Sequence, residues 1–193
     1  MSCLLSFGHG YSAQALTRLL VPQGWQVIGT TRSPEKASKL VEEGVEAIVW
    51  PEEDATSGAL GEAFKCATHL LISAGPEEEG GDPVLARLTP EMLRLAAQLE
   101  WAGYLSTTGV YGDHKGAWVD ESTPLNPATV RGQLRVDAEA AWAAIPDLPL
   151  HIFRLAGIYG PGRGPFAKVR SGTARRIIKP GQVFSRIHVE DIA

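Results

Sequence analysis

Short apolar runs alternate with amphipathic stretches along most of the chain. Ser2–Phe7, Trp25–Gly29, Ala47–Trp50, His69–Ser73, Trp101–Ser106 and Leu150–Leu155 are runs of four to six residues dominated by apolar side chains. Runs of that length predict strands buried on both faces. Between them, Ser12–Leu20, Pro34–Glu43, Gly58–Cys66, Thr89–Glu100 and roughly Thr129–Ala144 carry apolar residues at helical spacing. The second of these has a start signal, because Ser33 can cap the helix and Pro34 suits its first turn. Gly44 is a matching stop. Strand followed by helix, repeated in this way, predicts an α/β fold of Rossmann type: a doubly wound parallel sheet flanked by helices. The 193 residues suit one domain, and no solenoid repeat or low-complexity segment interrupts them.

Two stretches fall outside the alternation. Glu77-Glu78-Glu79-Gly80-Gly81-Asp82 reads as a solvated acidic loop after the fourth strand. Tyr111–Pro127 is a long connection after the fifth strand, leaving the sheet edge where ligands bind in open α/β folds.

Charge and composition narrow the partners. The net charge of −4, from 18 basic and 22 acidic residues, argues against nucleic acid or an anionic membrane as the main partner. No apolar run approaches the length of a membrane span. The apolar start at Cys3-Leu4-Leu5 runs into Gly8 and Gly10 without a basic leader, so the expected location is the cytoplasm. Two cysteines, Cys3 and Cys66, support neither a disulfide framework nor a zinc site, and both read as buried free thiols.

The first strand runs into Gly8-His9-Gly10-Tyr11-Ser12-Ala13, which fits the G-x-G-x-x-A dinucleotide fingerprint. Gly8 permits the tight turn, Gly10 lets the backbone approach a pyrophosphate, and small Ala13 lets helix and strand pack closely. The helix that begins there points its free amides at the phosphates. The second strand closes on Gly29-Thr30-Thr31-Arg32, where an NAD-binding chain usually places an acid for the ribose hydroxyls. Without that acid, and with Arg32 able to bond a 2′-phosphate beside Thr31, NADP is the preferred cofactor and NAD the alternative. Ser73 and Ala74 end the fourth strand with small side chains that leave room for ribose and adenine, as a plain tight turn also would.

Three further segments resemble the extended short-chain dehydrogenase/reductase superfamily, the group of NAD-dependent sugar epimerases and dehydratases. Leu105-Ser106-Thr107-Thr108-Gly109-Val110-Tyr111-Gly112 is similar to its fifth-strand run ending in Val-Tyr-Gly. Glu121-Ser122-Thr123-Pro124 resembles its Glu-x-x-Pro turn, and Arg154 to Gly162 its sixth-strand Arg-x-x-Asn-x-Tyr-Gly-Pro-Gly. The stretch from Arg186 to Ala193 is similar to its Ile-His-Val-Asp-Asp segment. The resemblance places Thr107 where the family has a catalytic Ser or Thr, with Ser106 beside it at the cofactor. It also implies that residues from about 155 to 193 begin a minimal or truncated C-terminal substrate region.

One departure bears on the chemistry. The family's acid/base Tyr and its Lys, four residues apart, fall at Arg131 and Arg135 here, and Gly157 stands in place of the sixth-strand Asn. Arginine stays protonated and cannot act as the base. The pattern resembles an atypical branch of the superfamily. Tyr111, or His114, is the remaining candidate for proton donor, with Thr107 orienting the substrate. Arg131 and Arg135 share a helix face and could clamp a phosphate or carboxylate, or could instead pair with Asp137 or Glu139. His188 is expected to be structural or near a substrate pocket; no metal is expected, since no ligands sit at metal spacing. Two functions follow: an NADP-dependent oxidoreductase or epimerase-like enzyme for a small sugar-like or carbonyl substrate, or a non-catalytic sensor of the cofactor. The sequence does not fix the oligomeric state; the resemblance allows a homodimer paired through sheet-flanking helices.

Overall fold

The computed structural model describes residues 1–51, 58–176, 178 and 180–193. Strands β1 (Cys3–Phe7), β2 (Gln26–Thr31), β3 (Glu46–Val49), β4 (His69–Ile72), β5 (Trp101–Thr107) and β6 (Leu150–Leu155) form one sheet in the order β3-β2-β1-β4-β5-β6. All neighbours are parallel. This is the Rossmann-type doubly wound sheet that the alternation predicts. The strand order reverses direction between β1 and β4, which opens a crevice at their carboxyl ends.

Alternate side chains of β1 feed two cores. Cys3, Leu5 and Phe7 join Leu60 and Phe64 of α3 (Gly58–Cys66), Met92 of α4 (Pro90–Ala96) and Trp142 of α5 (Val130–Ala143). On the other face Leu4 packs with Ala13 of α1 (Tyr11–Leu20) and Leu40 of α2 (Pro34–Glu42). Helices therefore lie on both faces, and β1, β2, β4 and β5 bury most of their side chains, whereas the edge strand β6 keeps His151 and Phe153 exposed, contrary to the expectation of burial on both faces.

Local signals account for the element ends. Ser33 caps α2 by accepting from the Lys36 amide at 3.2 Å, and Gly44 follows the helix at φ +82°. Helix α4 ends at Ala96, earlier than its periodicity predicts. Its continuation tightens to shorter turns, with Gln98 N–H on the Leu95 carbonyl and Leu99 N–H on that of Ala96. Strand β2 runs two residues past the predicted Gly29, because Thr30 and Thr31 stay paired with Ile48 and Val49.

Two expectations need correction. Cys66 is exposed: it lies off the Leu60, Ala63 and Phe64 face that α3 buries, whereas Cys3 is buried as expected. The acidic loop is not solvated throughout. Asp82 is buried; its Oδ1 accepts from the Val84 and Leu85 amides, and its Oδ2 accepts from Trp142 Nε1 at 3.0 Å. The loop is thereby pinned beneath α5.

The remaining chain forms a small layer of its own. Strands β7 (Gly157–Tyr159) and β8 (Arg186–His188) pair in parallel, with α6 (Pro165–Arg170) between them in sequence. Helix α7 (Val189–Ile192) then packs against α1.

Candidate functional site

The turn after β1 is built so that only glycine fits. Gly8 adopts φ +73°, and a Cβ there would lie 2.8 Å from the Ala74 nitrogen. Its amide donates to Thr30 Oγ1 at 3.0 Å, and the His9 amide donates to the Thr30 carbonyl at 2.8 Å. The turn is thus tied to β2 on one side and pressed against the end of β4 on the other. Gly10 caps α1 without a side chain, and the first turn of that helix carries no acid. Its leading amides are left for an anion. Ala13 is fully buried between helix and sheet.

His9 does not face the crevice. Its ring is fully buried and lies over Gly29, where a Cβ would come within 2.7 Å of the imidazole. The Thr17 hydroxyl donates its proton to the Ala13 carbonyl at 3.0 Å, so it can only accept from His9 Nε2, 3.2 Å away. That assigns the Nε2–H tautomer. Burial, with Lys36 nearby, pushes the imidazole down to about 4, and it is neutral at pH 7. His9 is therefore a wall of the turn, and its amide is already committed to Thr30.

At the carboxyl ends of the strands lies a cleft of about 440 Å³. Gly8, Gly10, Tyr11 and Ser12 form one side; Ser73, Ser106 and Thr107 line the strand ends; Arg135 and Arg163 supply positive charge. No carboxylate among the described residues lines it. Thr107 Oγ1 accepts from the Gly109 amide at 3.2 Å. Arg135 Nη1 donates to Tyr104 Oη at 3.1 Å and to the Leu105 carbonyl at 2.8 Å. A Cβ on Gly75 would lie 2.6 Å from Arg135 Nη2, so Gly75 makes space for that guanidinium. Burial pushes the Tyr104 phenol up to about 12, even with Arg135 beside it.

Behind the cleft is a buried charged network. The Glu139 carboxylate accepts from Arg154 Nε at 3.1 Å and from Nη2 at 2.8 Å, and also from the Ser106 hydroxyl. Arg154 Nη1 donates to Tyr111 Oη at 3.0 Å, and the guanidinium lies 5.1 Å from that ring's centre. Hydrogen bonding to Glu139, against some cost of burial, raises the Arg154 pKa still further. Tyr111 is buried and is not among the residues lining the cleft. His114 Nε2 sits 3.1 Å from the Tyr111 carbonyl. None of the Tyr111–Pro127 connection lines the cleft. Gly112 holds it folded back, since a Cβ there would meet the Asn126 carbonyl oxygen.

The other candidates are spread more widely. Thr31 is buried at the end of β2, and Arg32 is exposed, 3.4 Å from Glu77 of the acidic loop. Ala74 backs Gly8. Arg131 is exposed and off the cleft, so the expected two-arginine clamp reduces to Arg135. Glu139 pairs with Arg154 rather than with either helix arginine, and Asp137 accepts from Gln133. His188 borders a second cleft of about 570 Å³ with Tyr159, Arg170 and Arg186. No cluster of metal-ligating side chains occurs among the described residues.

Comparison with known proteins places the chain. No family model matches it. Over 166 residues it is 32% identical to Protein YeeZ of Escherichia coli strain K12, covering 82% of this chain and 59% of YeeZ. A functionally unknown conserved protein from Silicibacter pomeroyi DSS superposes at a TM-score of 0.89 with 59% identity, over 100% of this chain and 65% of its own. A putative NAD-dependent epimerase/dehydratase from Methylobacillus flagellatus superposes at 0.63 with 27% identity, over 98% of this chain and 66% of that one. The chain is an atypical member of the extended short-chain dehydrogenase/reductase superfamily. UDP-glucose 4-epimerase of Thermotoga maritima shares this superfamily member's fold at a TM-score of 0.74 with 15% identity, over 98% of this chain and 70% of its own. The superfamily member described here spans 59% of YeeZ and 65% of the Silicibacter protein. No helix among its described residues is long and apolar enough to cross a membrane.

Three charged groups at or behind the cleft carry little signal of their place in the sequence. In the sequence Glu139 reads only as a partner for the helix arginines, Arg154 only as part of a motif, and Arg163 does not stand out. For the first two a signal existed, namely opposite charges on elements predicted to be adjacent. Arg163 had none, because it reaches α1 from the far end of the chain.

Proposed function

We propose that the chain binds NADP in the cleft at the carboxyl edge of the sheet and acts as an oxidoreductase or epimerase-like protein on a small sugar-like or carbonyl compound. One observation carries the reading. A glycine turn with no room for a Cβ at Gly8, four small hydroxyl side chains and two arginines meet in one cleft that no carboxylate lines among the described residues. That donor set suits a flat, doubly phosphorylated ligand. Neighbouring structures include the WbmG enzyme of Bordetella bronchiseptica in complex with NAD and UDP, which supports a nicotinamide cofactor. When bound, the nicotinamide supplies the hydride donor or acceptor.

The chain's own residues then divide the work. Gly8, Gly10, Tyr11 and Ser12 cradle the pyrophosphate, and Ser73 with Ala74 faces the adenosine side. Thr107 orients the substrate oxygen. Arg135, in the place of the family's Lys, fixes the cofactor ribose or a substrate anion but cannot accept a proton. Arg32 leaves its exposed contact with Glu77 for the 2′-phosphate; such surface pairs are worth only about 0–1 kcal/mol. His188 serves the substrate side from the second cleft. Titration calorimetry tests the cofactor assignment: NADPH should bind about tenfold tighter than NADH, and Arg32→Ala should abolish the difference. Equal affinities in the unaltered protein defeat the NADP preference.

A second reading, a non-catalytic sensor of the cofactor, draws support from the exposed Arg131 and the buried Tyr111. Oxidation of bound NADPH across a panel of nucleotide sugars and aldehydes separates the two. Turnover that falls at least tenfold in Thr107→Ala supports the enzyme. Binding without turnover on any compound supports the sensor.

A further inference from the structure

The glycine turn is bridged by a loop from the other end of the chain. Tyr11, the first residue of α1, donates from its hydroxyl to the Pro161 carbonyl at 2.9 Å. The loop that receives this bond is closed on itself: the amides of Gly160 and Arg163 each donate to the other's carbonyl, at 2.9 and 3.0 Å. Gly160 is held at φ +155°, and a Cβ there would lie 2.6 Å from Tyr11 Oη. The bridge therefore tolerates only glycine at its contact point. It also aims a charge. The Arg163 guanidinium lies 5.4 Å from the centre of the Tyr11 ring, and Arg163 lines the same cleft as Gly8, Gly10 and Ser12. Its side chain makes no ion pair and no hydrogen bond with any other described residue.

Resting on the reading that a dinucleotide occupies this cleft, we infer that the 160–164 loop is a clasp over the glycine turn, with Arg163 binding the cofactor's pyrophosphate from the side opposite the α1 amides. Three features favour this occupant. The guanidinium offers five donors in a planar fork that matches phosphate oxygens. The Tyr11 ring orients the fork by stacking, so little freedom is lost on binding. Among the described residues the cleft supplies no carboxylate to neutralise it, whereas Arg135 is already engaged by Tyr104 and Leu105.

The test measures binding of NADPH, NADH and ADP-ribose to the unaltered chain and to Arg163→Gln. All three ligands carry the pyrophosphate, so all three should weaken by a similar factor of about ten. The salt dependence of their affinity should become shallower. Arg163→Lys should recover part of the loss. Tyr11→Phe keeps the stacked ring but loses the bond to Pro161, and it should speed NADPH release several-fold. Circular dichroism confirms that each variant is folded. Unchanged affinity in Arg163→Gln overturns the clasp, as does a loss for NADPH and NADH that spares ADP-ribose, which would move Arg163 to the nicotinamide end. An unaltered chain that binds none of the three overturns the cofactor reading itself, and the clasp with it.

Discussion

Glu139 holds a negative charge at 3% exposure, and its two oxygens take up three donors from Arg154 and Ser106. Such a pair is costly to bury and costlier to break, because the surviving partner is left desolvated. Arg154 keeps 20% side-chain exposure, so its cation retains some water. Glu139→Gln should therefore lower stability by about 3 kcal/mol, the lower end for a broken buried pair, measured by urea unfolding. It should also loosen Ser106 and Tyr111, which share the network. His9 makes a second residue-level argument. Its imidazole titrates near 4 when folded and near 6.5 when free. Between those values the unfolded chain holds more protons than the native one, so stability falls as pH falls through that window. The contribution is at most about 3 kcal/mol for a shift of this size. His9→Phe should lose less stability than the unaltered protein between pH 6.5 and pH 4.5. Parallel losses in the two proteins would show that the ring is solvated when folded.

At the level of elements, what periodicity encodes was legible and what pairing encodes was not. All six strands of the main sheet lie where the apolar runs place them: the inner strands are apolar because both of their faces are buried, and the edge strands β3 and β6 are apolar enough to be found although only partly covered. The cap at Ser33 and the turn at Gly8 were equally readable, since each depends on residues within a few positions. The β7–β8 pair escaped notice: its three-residue strands are too short for a pattern, and 26 residues separate Tyr159 from Arg186. Asp82 was misread for a related reason. It sits in a run of acids that reads as surface, yet its carboxylate anchors Trp142, 60 positions away. Trp142→Phe removes the indole donor and leaves Asp82 Oδ2 without its partner. The expected cost is about 1–3 kcal/mol in urea unfolding, with NADPH affinity unchanged, since neither residue lines the cleft. Asp82→Ala should cost more, because it also frees the Val84 and Leu85 amides.

Across the whole molecule, the cleft exists because the sheet reverses direction between β1 and β4, and its walls come from segments spread over most of the chain. Tyr11 and Pro161, bonded across that cleft, are 150 positions apart. No local pattern announces such a meeting, which is why the glycine turn was readable and its clasp was not. The same geometry makes cofactor binding a property of the whole fold. A ligand that binds only the native state raises stability by about 2.7 kcal/mol at a hundredfold excess over Kd. For a domain of this size that corresponds to a melting point higher by about 5–10 °C. Hydrogen exchange should show where the gain is felt. With NADPH bound, protection should rise together in 8–13, 73–75, 105–107 and 157–164, and stay unchanged in α3, which lines no part of the cleft. Protection confined to the first three segments would mean that the loop does not close on the ligand. Protection confined to 157–164 would place the ligand in the second cleft, and the dinucleotide would have to be removed from the glycine turn.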